Sequence, residues 1–172
     1  TRIDYEDDDV IDGEIEAQVV HRATELGDGA KALLVSDYLK GCVTPTVLRA
    51  LVALKAGGAP LLVDPKIPHL ETYAGATLVT PNNSEAEAAT HHRIRTDEDA
   101  RLAAQVIRQR AQCDAVLITR GEQGMWLSCA EADGAIPAAA REVSDVTGAG
   151  DTVVAVLALA LASGATLREA AI

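Results

Sequence analysis

The chain of 172 residues carries 26 acidic and 15 basic side chains, a net charge of −11. That balance excludes nucleic acid and anionic membrane as partners, though not a small phosphate ligand, which needs only local N–H groups, a cation or two and Mg2+. Hydrophobic content of 48% and charged content of 24% exclude disorder and leave room for one α/β domain or part of a larger one, with an aliphatic core because Phe is absent.

Residues 1–16 hold eight acids, Asp4, Glu6, Asp7, Asp8, Asp9, Asp12, Glu14 and Glu16. A calcium loop with Gly13 at its sixth position would put Val10 third and Val19 twelfth, where oxygen ligands are required, so a solvated surface segment is expected. Residues 1–6 alternate like a strand entered partway along. A helix is expected from Ile15 to Leu26, broken at Gly27-Asp28-Gly29. Ala32–Val35 then reads as a strand buried on both faces, followed by polar Ser36-Asp37-Tyr38-Leu39-Lys40-Gly41. Thr44-Pro45 supplies an N-cap and first-turn proline for a helix to Lys55, closed by Gly57-Gly58.

The cycle repeats. Pro60–Val63 and Ala76–Val79 read as strands ending in Asp64-Pro65-Lys66 and Thr80-Pro81-Asn82-Asn83-Ser84-Glu85. One helix follows to Thr90, and a second, capped by Thr96 with Asp97, Glu98 and Asp99 in its first turn, runs to about Ala111. Ala115–Thr119 is the fourth strand. Arg120 and the Gly121-Glu122-Gln123-Gly124 turn lead into an antiparallel extension, Met125–Ser128. Strands alternating with capped helices specify an α/β fold, a doubly wound, mostly parallel sheet with helices on both faces. In such sheets ligands bind beyond the carboxyl ends of the strands, where these polar clusters fall.

The last cluster is Asp145-Val146-Thr147-Gly148-Ala149-Gly150-Asp151-Thr152, feeding an apolar run from Val153 to Ala162 that reads as a buried helix. Small residues leave their N–H groups open and the helix dipole adds positive charge, so the turn is an anion site with Asp151 beside it. It is not a Walker A loop, because Gly150 is followed by Asp151-Thr152 rather than Lys, and Val153 stands where a dinucleotide fingerprint needs a third glycine. Taken singly, each neighbour also has a plainer reading. Glu85 serves equally as a first-turn helix acid, Lys40 and Lys66 as solvated lysines, and Asp145 as a turn carboxylate. Trp126 reads as packing and His91-His92 as an exposed loop. Cys42, Cys113 and Cys129 share no metal spacing and read as reduced thiols. No leader is evident and the longest apolar run is too short to span a bilayer, so the cytoplasm is the expected compartment.

Asp145–Thr152 resembles the second signature of the ribokinase-like (PfkB) family of sugar kinases, Asn82–Glu85 its Asn-x-x-Glu motif, and Thr119–Gly124 its Thr-x-Gly nucleotide segment. Ser36–Gly41, Asp64–Lys66, Thr80–Asn82 and Thr119–Met125 resemble one branch, the D-glycero-β-D-manno-heptose 7-phosphate kinases. The resemblance implies that Asp151 is the general base on a sugar hydroxyl and that Gly148, Ala149 and Gly150 form the anion hole. It further implies that Asn82 and Glu85 organise Mg2+ and the phosphates of ATP, Mg2+ indirectly through Glu85, and that Thr119 and Gly121 line the nucleotide site. Asp145 and Thr147 would belong to a monovalent-cation site, for K+. Asp37, Lys40 and Lys66 would face the sugar, its phosphate or the ATP phosphates, Asp37 and Lys40 being set on the substrate side and Lys66 with the cofactor residues, with the roles of the two lysines left undivided.

Residues 1–172 then correspond to one partial kinase domain, incomplete at both ends. Residues 1–6 would be the end of a β lid through which relatives dimerise, so a homodimer is implied for the full-length parent. Residues 30–172 would be the nucleotide and catalytic core. The sugar-binding Gly-Gly signature and a His-x-Gly-His motif are missing from the sequence. Low activity of the 172 residues alone is therefore expected. The alternatives are another sugar or nucleoside kinase of the family, or an inactive truncated kinase.

Overall fold

A computed structural model describes residues 8–67, 69–138 and 148–172. In chain order the elements are α1 (Gly13–Gly27), β1 (Leu33–Ser36), α2 (Pro45–Leu54), β2 (Leu61–Asp64), β3 (Leu78–Val79), α3 (Asn83–Thr90), α4 (Asp97–Ala111), β4 (Ala115–Thr119), β5 (Met125–Ser128), β6 (Asp133–Ile136), α5 (Ala149–Ala162) and α6 (Leu167–Ala170). They build one mixed sheet in the order β1-β2-β3-β4-β5-β6. The first four strands pair in parallel, and β5 and β6 return antiparallel, with Ile118 opposite Trp126 and Trp126 opposite Ala135.

Strand alternation divides the core between two faces. Leu61, Val63, Val79, Val116, Ile118 and Trp126 point to the face covered by α2, α3 and α4. Leu62, Leu78, Leu117 and Leu127 point to the face covered by α5 and α6. Leu61, Leu62 and Val63 are fully enclosed, each worth about 1.5–3 kcal/mol relative to exposure. α1 packs on α2 at Gly27, where an added Cβ would stand 2.5 Å from Leu54 Cδ1 and the end of that leucine would have to move.

The caps predicted at Thr44 and Thr96 form, and Asn82 adds one that was not predicted. The Thr44 hydroxyl accepts from the Val47 N–H, and capping boxes open α3 (Asn82/Glu85) and α4 (Thr96/Asp99). Trp126 is 7% exposed and its indole N–H donates to Asp133, which ties the unpredicted strand β6 to β5. β6 has a weak signal, because Asp133 and Gly134 are poor strand formers and only the pairing holds them extended. β3 is shorter than expected, since Thr77 turns its hydroxyl to the Leu61 N–H and Ala76 closes the turn from Tyr73.

Two expectations are corrected. α5 is not a buried helix: Val154 and Leu157 are enclosed, but Val156 and Leu159 are 55% and 70% exposed. It is apolar on all sides, and the sheet covers only one of them among the described residues. Nor is β1 buried on both faces: it is the edge strand of the sheet, and Leu34 is 42% exposed. The described part of the acidic segment lies at the surface, as expected, and is tied down there. The Ile11 N–H donates to the Gly41 carbonyl (3.1 Å), Asp8 pairs with Lys40 (3.0 Å), and Glu16 accepts from the Thr44 hydroxyl (2.6 Å). Gly41 has φ +75°, and a side chain there would collide with the Asp9 carbonyl. Residues 1–6, read as the end of a lid, lie outside the described residues.

Candidate active site

The parallel strands deliver their carboxyl ends to one edge, and the polar side chains there are bonded to one another. Asp37 extends the β1 ladder, its N–H donating to the Asp64 carbonyl (3.1 Å), while its side chain turns inward and is 4% exposed. Oδ1 accepts from the Leu39 N–H (2.8 Å) and Oδ2 from the Tyr73 hydroxyl (2.7 Å). The first bond supports Leu39 at φ +56°, a left-handed geometry that costs a non-glycine residue about 1–2 kcal/mol. Between them Tyr38 faces outward. Tyr73 ends a 3-10 turn, Leu70–Tyr73, and its oxygen accepts from the Lys66 N–H (3.0 Å). Burial, then the Asp37 hydrogen bond, push its phenol well above the usual range.

Lys66 pairs with Glu85 Oε1 at 2.6 Å, and its Nζ lies 5.9 Å from the centroid of the Tyr38 ring. Burial works against its charge, but the Glu85 hydrogen bond and the charges of Glu85 and Asp64 outweigh that, and the pKa rises. Glu85 Oε2 meanwhile accepts from the Asn82 N–H (2.9 Å), and Asn82 Oδ1 from the Glu85 N–H (2.9 Å). Glu85 is thus both helix cap and charge partner. Asn82 also bridges Thr119, whose N–H donates to the Pro81 carbonyl (3.0 Å).

Asp151 lies in the first turn of α5. Gly148 caps that helix at φ +75°, and its carbonyl accepts from both the N–H and the hydroxyl of Thr152. Among the described residues, no acceptor meets the N–H groups of Ala149 and Gly150, and the space a Cβ would fill at Gly148 or Gly150 is open. The Tyr38 hydroxyl donates toward Asp151, 3.3 Å from Oδ1 and 3.4 Å from Oδ2. Asp64 closes the group: burial raises its pKa, Lys66 opposes, and the negative charges of Glu85 and Asp151 raise it further. Asp64, Glu85 and Asp151 make this edge negative, with the Lys66 ammonium among them. Both Glu85 oxygens are engaged, so Glu85 suits Mg2+ held through water rather than directly. Among the described residues no three His, Cys, Asp or Glu side chains are set to hold a metal ion.

The fold therefore brings Asp37, Lys66, Glu85 and Asp151 into one network, and Asn82 beside Thr119. Lys40 lines a cavity of about 330 Å3 with Ser36, Asp37, Tyr38, Cys42 and Val43, while also pairing with Asp8. Gly121, at φ +57°, opens the turn after β4, where buried Arg120 is bound by Asp97 (2.7 Å) and Gln123 (2.9 Å). No hydrogen bond joins Gly121 to the Lys66–Asp151 group among the described residues. Asp145 and Thr147 lie outside the described residues. A larger cavity, about 640 Å3, follows the outer edge of β6 to Arg168 and Ile172 and shares no residue with this network.

Sequence reasoning missed Tyr38 and Tyr73. Tyr38 was signalled by its place beside Asp37 at a strand end; Tyr73 had no signal beyond its rarity in a chain with three tyrosines. Among the described residues, no helix is long and apolar enough to cross a membrane.

The bifunctional protein HldE of Trichlorobacter lovleyi is 45% identical over 99% of this chain and 35% of its own length, and that of Geotalea uraniireducens is 46% identical with the same coverage. The chain thus spans about a third of the length of these curated relatives. The tetrameric inhibited form of phosphofructokinase-2 from Escherichia coli superposes with a TM-score of 0.75 at 25% identity, covering 94% of this chain and 54% of that one. Ribokinase from Arabidopsis thaliana, complexed with ribose and ATP, gives 0.69 at 23% identity, over 87% and 48%, and shares the fold. Residues 14–172 match the pfkB family carbohydrate kinases, and the chain belongs to that family.

Proposed function

We propose that the chain carries the phosphoryl-transfer site of an ATP-dependent sugar kinase, with the anomeric hydroxyl of D-glycero-D-manno-heptose 7-phosphate as acceptor. The observation that supports it most is the placement of Asp151 at the open N-terminus of α5, across from Tyr38 and the Lys66–Glu85 pair. The acceptor hydroxyl gives its proton to the Asp151 carboxylate as its oxygen forms a bond to the γ-phosphorus, and the bond from that phosphorus to the bridging oxygen of ADP breaks. N–H groups of Gly148, Ala149 and Gly150 meet the charge on the transferring group, which is where such catalysis is concentrated. Lys66, held by Glu85, faces the phosphate tail, and Asn82, Thr119 and Gly121 line the nucleotide side. Asp37 and Lys40 shape the sugar side. Glu85, beside Asn82, would hold Mg2+ through water to offset phosphate charge, and the resemblance would put K+ at Asp145 and Thr147. A homodimer of the parent follows from the same resemblance.

The test replaces the matching segment of the Trichlorobacter lovleyi relative with residues 14–172 and assays ATP turnover over a panel of sugar phosphates, pentoses and nucleosides. Heptose 7-phosphate is expected to be preferred, and a preferred pentose or nucleoside would point to another branch of the family. Asp151→Asn is expected to lower kcat by about a hundredfold to ten-thousandfold with ATP affinity retained. Near-full turnover of that variant sinks the base assignment.

A further inference from the structure

We infer that Tyr73 is a positioning residue: its one hydroxyl ties the loops leaving β1 and β2 together and thereby aims Tyr38 at Asp151. The inference rests on the reading of Asp151 as the base. Tyr73 is 1% exposed, and Asp37 4%. The phenol proton goes to Asp37 Oδ2 (2.7 Å) and the phenol oxygen takes the Lys66 N–H (3.0 Å), so one group spans both loops. Asp37, fixed on one oxygen, holds the Leu39 N–H on the other, with Leu39 in the left-handed region.

That geometry determines where Tyr38 points. Its ring lies beneath the Lys66 ammonium and its hydroxyl reaches both oxygens of Asp151. At 3.3 and 3.4 Å these are long contacts for O–H···O, whose usual distance is about 2.7–2.8 Å. Tyr38 thus occupies the place an acceptor hydroxyl must take and is readily displaced from it. The base stays oriented until the sugar arrives. Asp37, by this account, acts through the loop it holds rather than on the sugar itself.

The test needs no turnover. The chain contains Tyr5, Tyr38 and Tyr73, so 13C labelling of the tyrosine ring carbons gives three resolvable NMR signals. In the wild-type chain Asp151→Asn moves the Tyr38 signal. Tyr73→Phe is expected to shift that signal and to abolish its response to Asp151→Asn. If Tyr73→Phe does not fold, Asp37→Ala carries the same expectation, since it removes the acceptors of both the Tyr73 hydroxyl and the Leu39 N–H. A Tyr38 signal unchanged in position and response overturns the inference.

In the active chimera Tyr73→Phe is expected to lower kcat about tenfold with little change in KM for ATP. Tyr38→Phe should do the same, and the double variant no worse than either. Effects that multiply would mean that Tyr73 does not work through Tyr38. Lost stability alone leaves kcat intact below the unfolding temperature. The two readings also fail separately: full turnover by Asp151→Asn removes the base while the NMR coupling stands, and a silent Tyr38 signal does the reverse.

Discussion

Glu85 combines two jobs that substitution can separate. Its Oε2 caps α3 through the Asn82 N–H, and its Oε1 holds Lys66. Glu85→Gln keeps a neutral oxygen for the cap, since Gln also closes a capping box, but deletes the charge. The pair is partly wet, with side chains 31% and 15% exposed, so it is worth about 1 kcal/mol after solvent screening, and the helix dipole adds about 0.5 kcal/mol. Glu85→Ala also removes the cap bond, costing about 1 kcal/mol more. Losses of about 1.5 and 2.5 kcal/mol correspond to drops in Tm of roughly 4 and 7 °C in a chain of this size, read by circular dichroism. Lys66→Met on top of Glu85→Gln should cost little more. Lys66 has a raised pKa in the fold, so its contribution is complete below its ordinary value of 10.5 and is lost as pH climbs through the folded value. The gap between wild type and Glu85→Gln therefore holds at about pH 9 and narrows only above 10.5, toward the helix-dipole part of about 0.5 kcal/mol. Equal losses in Glu85→Gln and Glu85→Ala would refute a separable cap.

Two further outcomes are expected. Asp64 has its pKa raised chiefly by burial, so its charge opposes folding, and the stability it contributes is complete below its ordinary value of 3.8 and lost as pH rises through the folded value. Asp64→Asn should raise Tm at pH 7 by at most about 3 °C, with the gain vanishing as the solution is taken below that ordinary value; a loss of stability at pH 7 would show that the Lys66 attraction dominates. Cys42 is exposed, whereas Cys113 and Cys129 are buried and burial pushes the Cys113 thiol up to about 11. Iodoacetamide at about pH 8, below even an unperturbed thiol, should modify Cys42 in the folded protein and the other two only after denaturant, as read by mass spectrometry; early modification of Cys113 contradicts the packing.

Local chemistry made the architecture legible. Thr44-Pro45 and Thr96 with its acidic first turn each state a helix start within a few residues, and both caps form. Continuous apolar runs at Leu61–Val63 and Ala115–Ile118 state burial on both faces, and those residues are enclosed. β6 escaped because Asp133-Gly134-Ala135-Ile136 carries no strand signal of its own and depends on its partner. α5 misled for the opposite reason, since an all-apolar helix reads as buried whether or not anything covers its outer side.

The candidate site divides along the same line. Which residues reach the edge was readable, because a parallel sheet delivers every strand's carboxyl end to one side. How they are held was not, because the holding bonds run between distant segments: Tyr73 to Asp37 spans 36 positions, and Tyr38 to Asp151 spans 113. No local pattern encodes such a bond. The consequence reaches the chemistry. Asp37 reads in sequence as an open carboxylate at a strand end, yet both of its oxygens are taken by protein donors. The group it presents outward is its neighbour Tyr38, on the one hydroxyl that touches Asp151 among the described residues. A strand-end acid is therefore as apt to be the anchor of a functional loop as its working group, and only its hydrogen-bond partners distinguish the two.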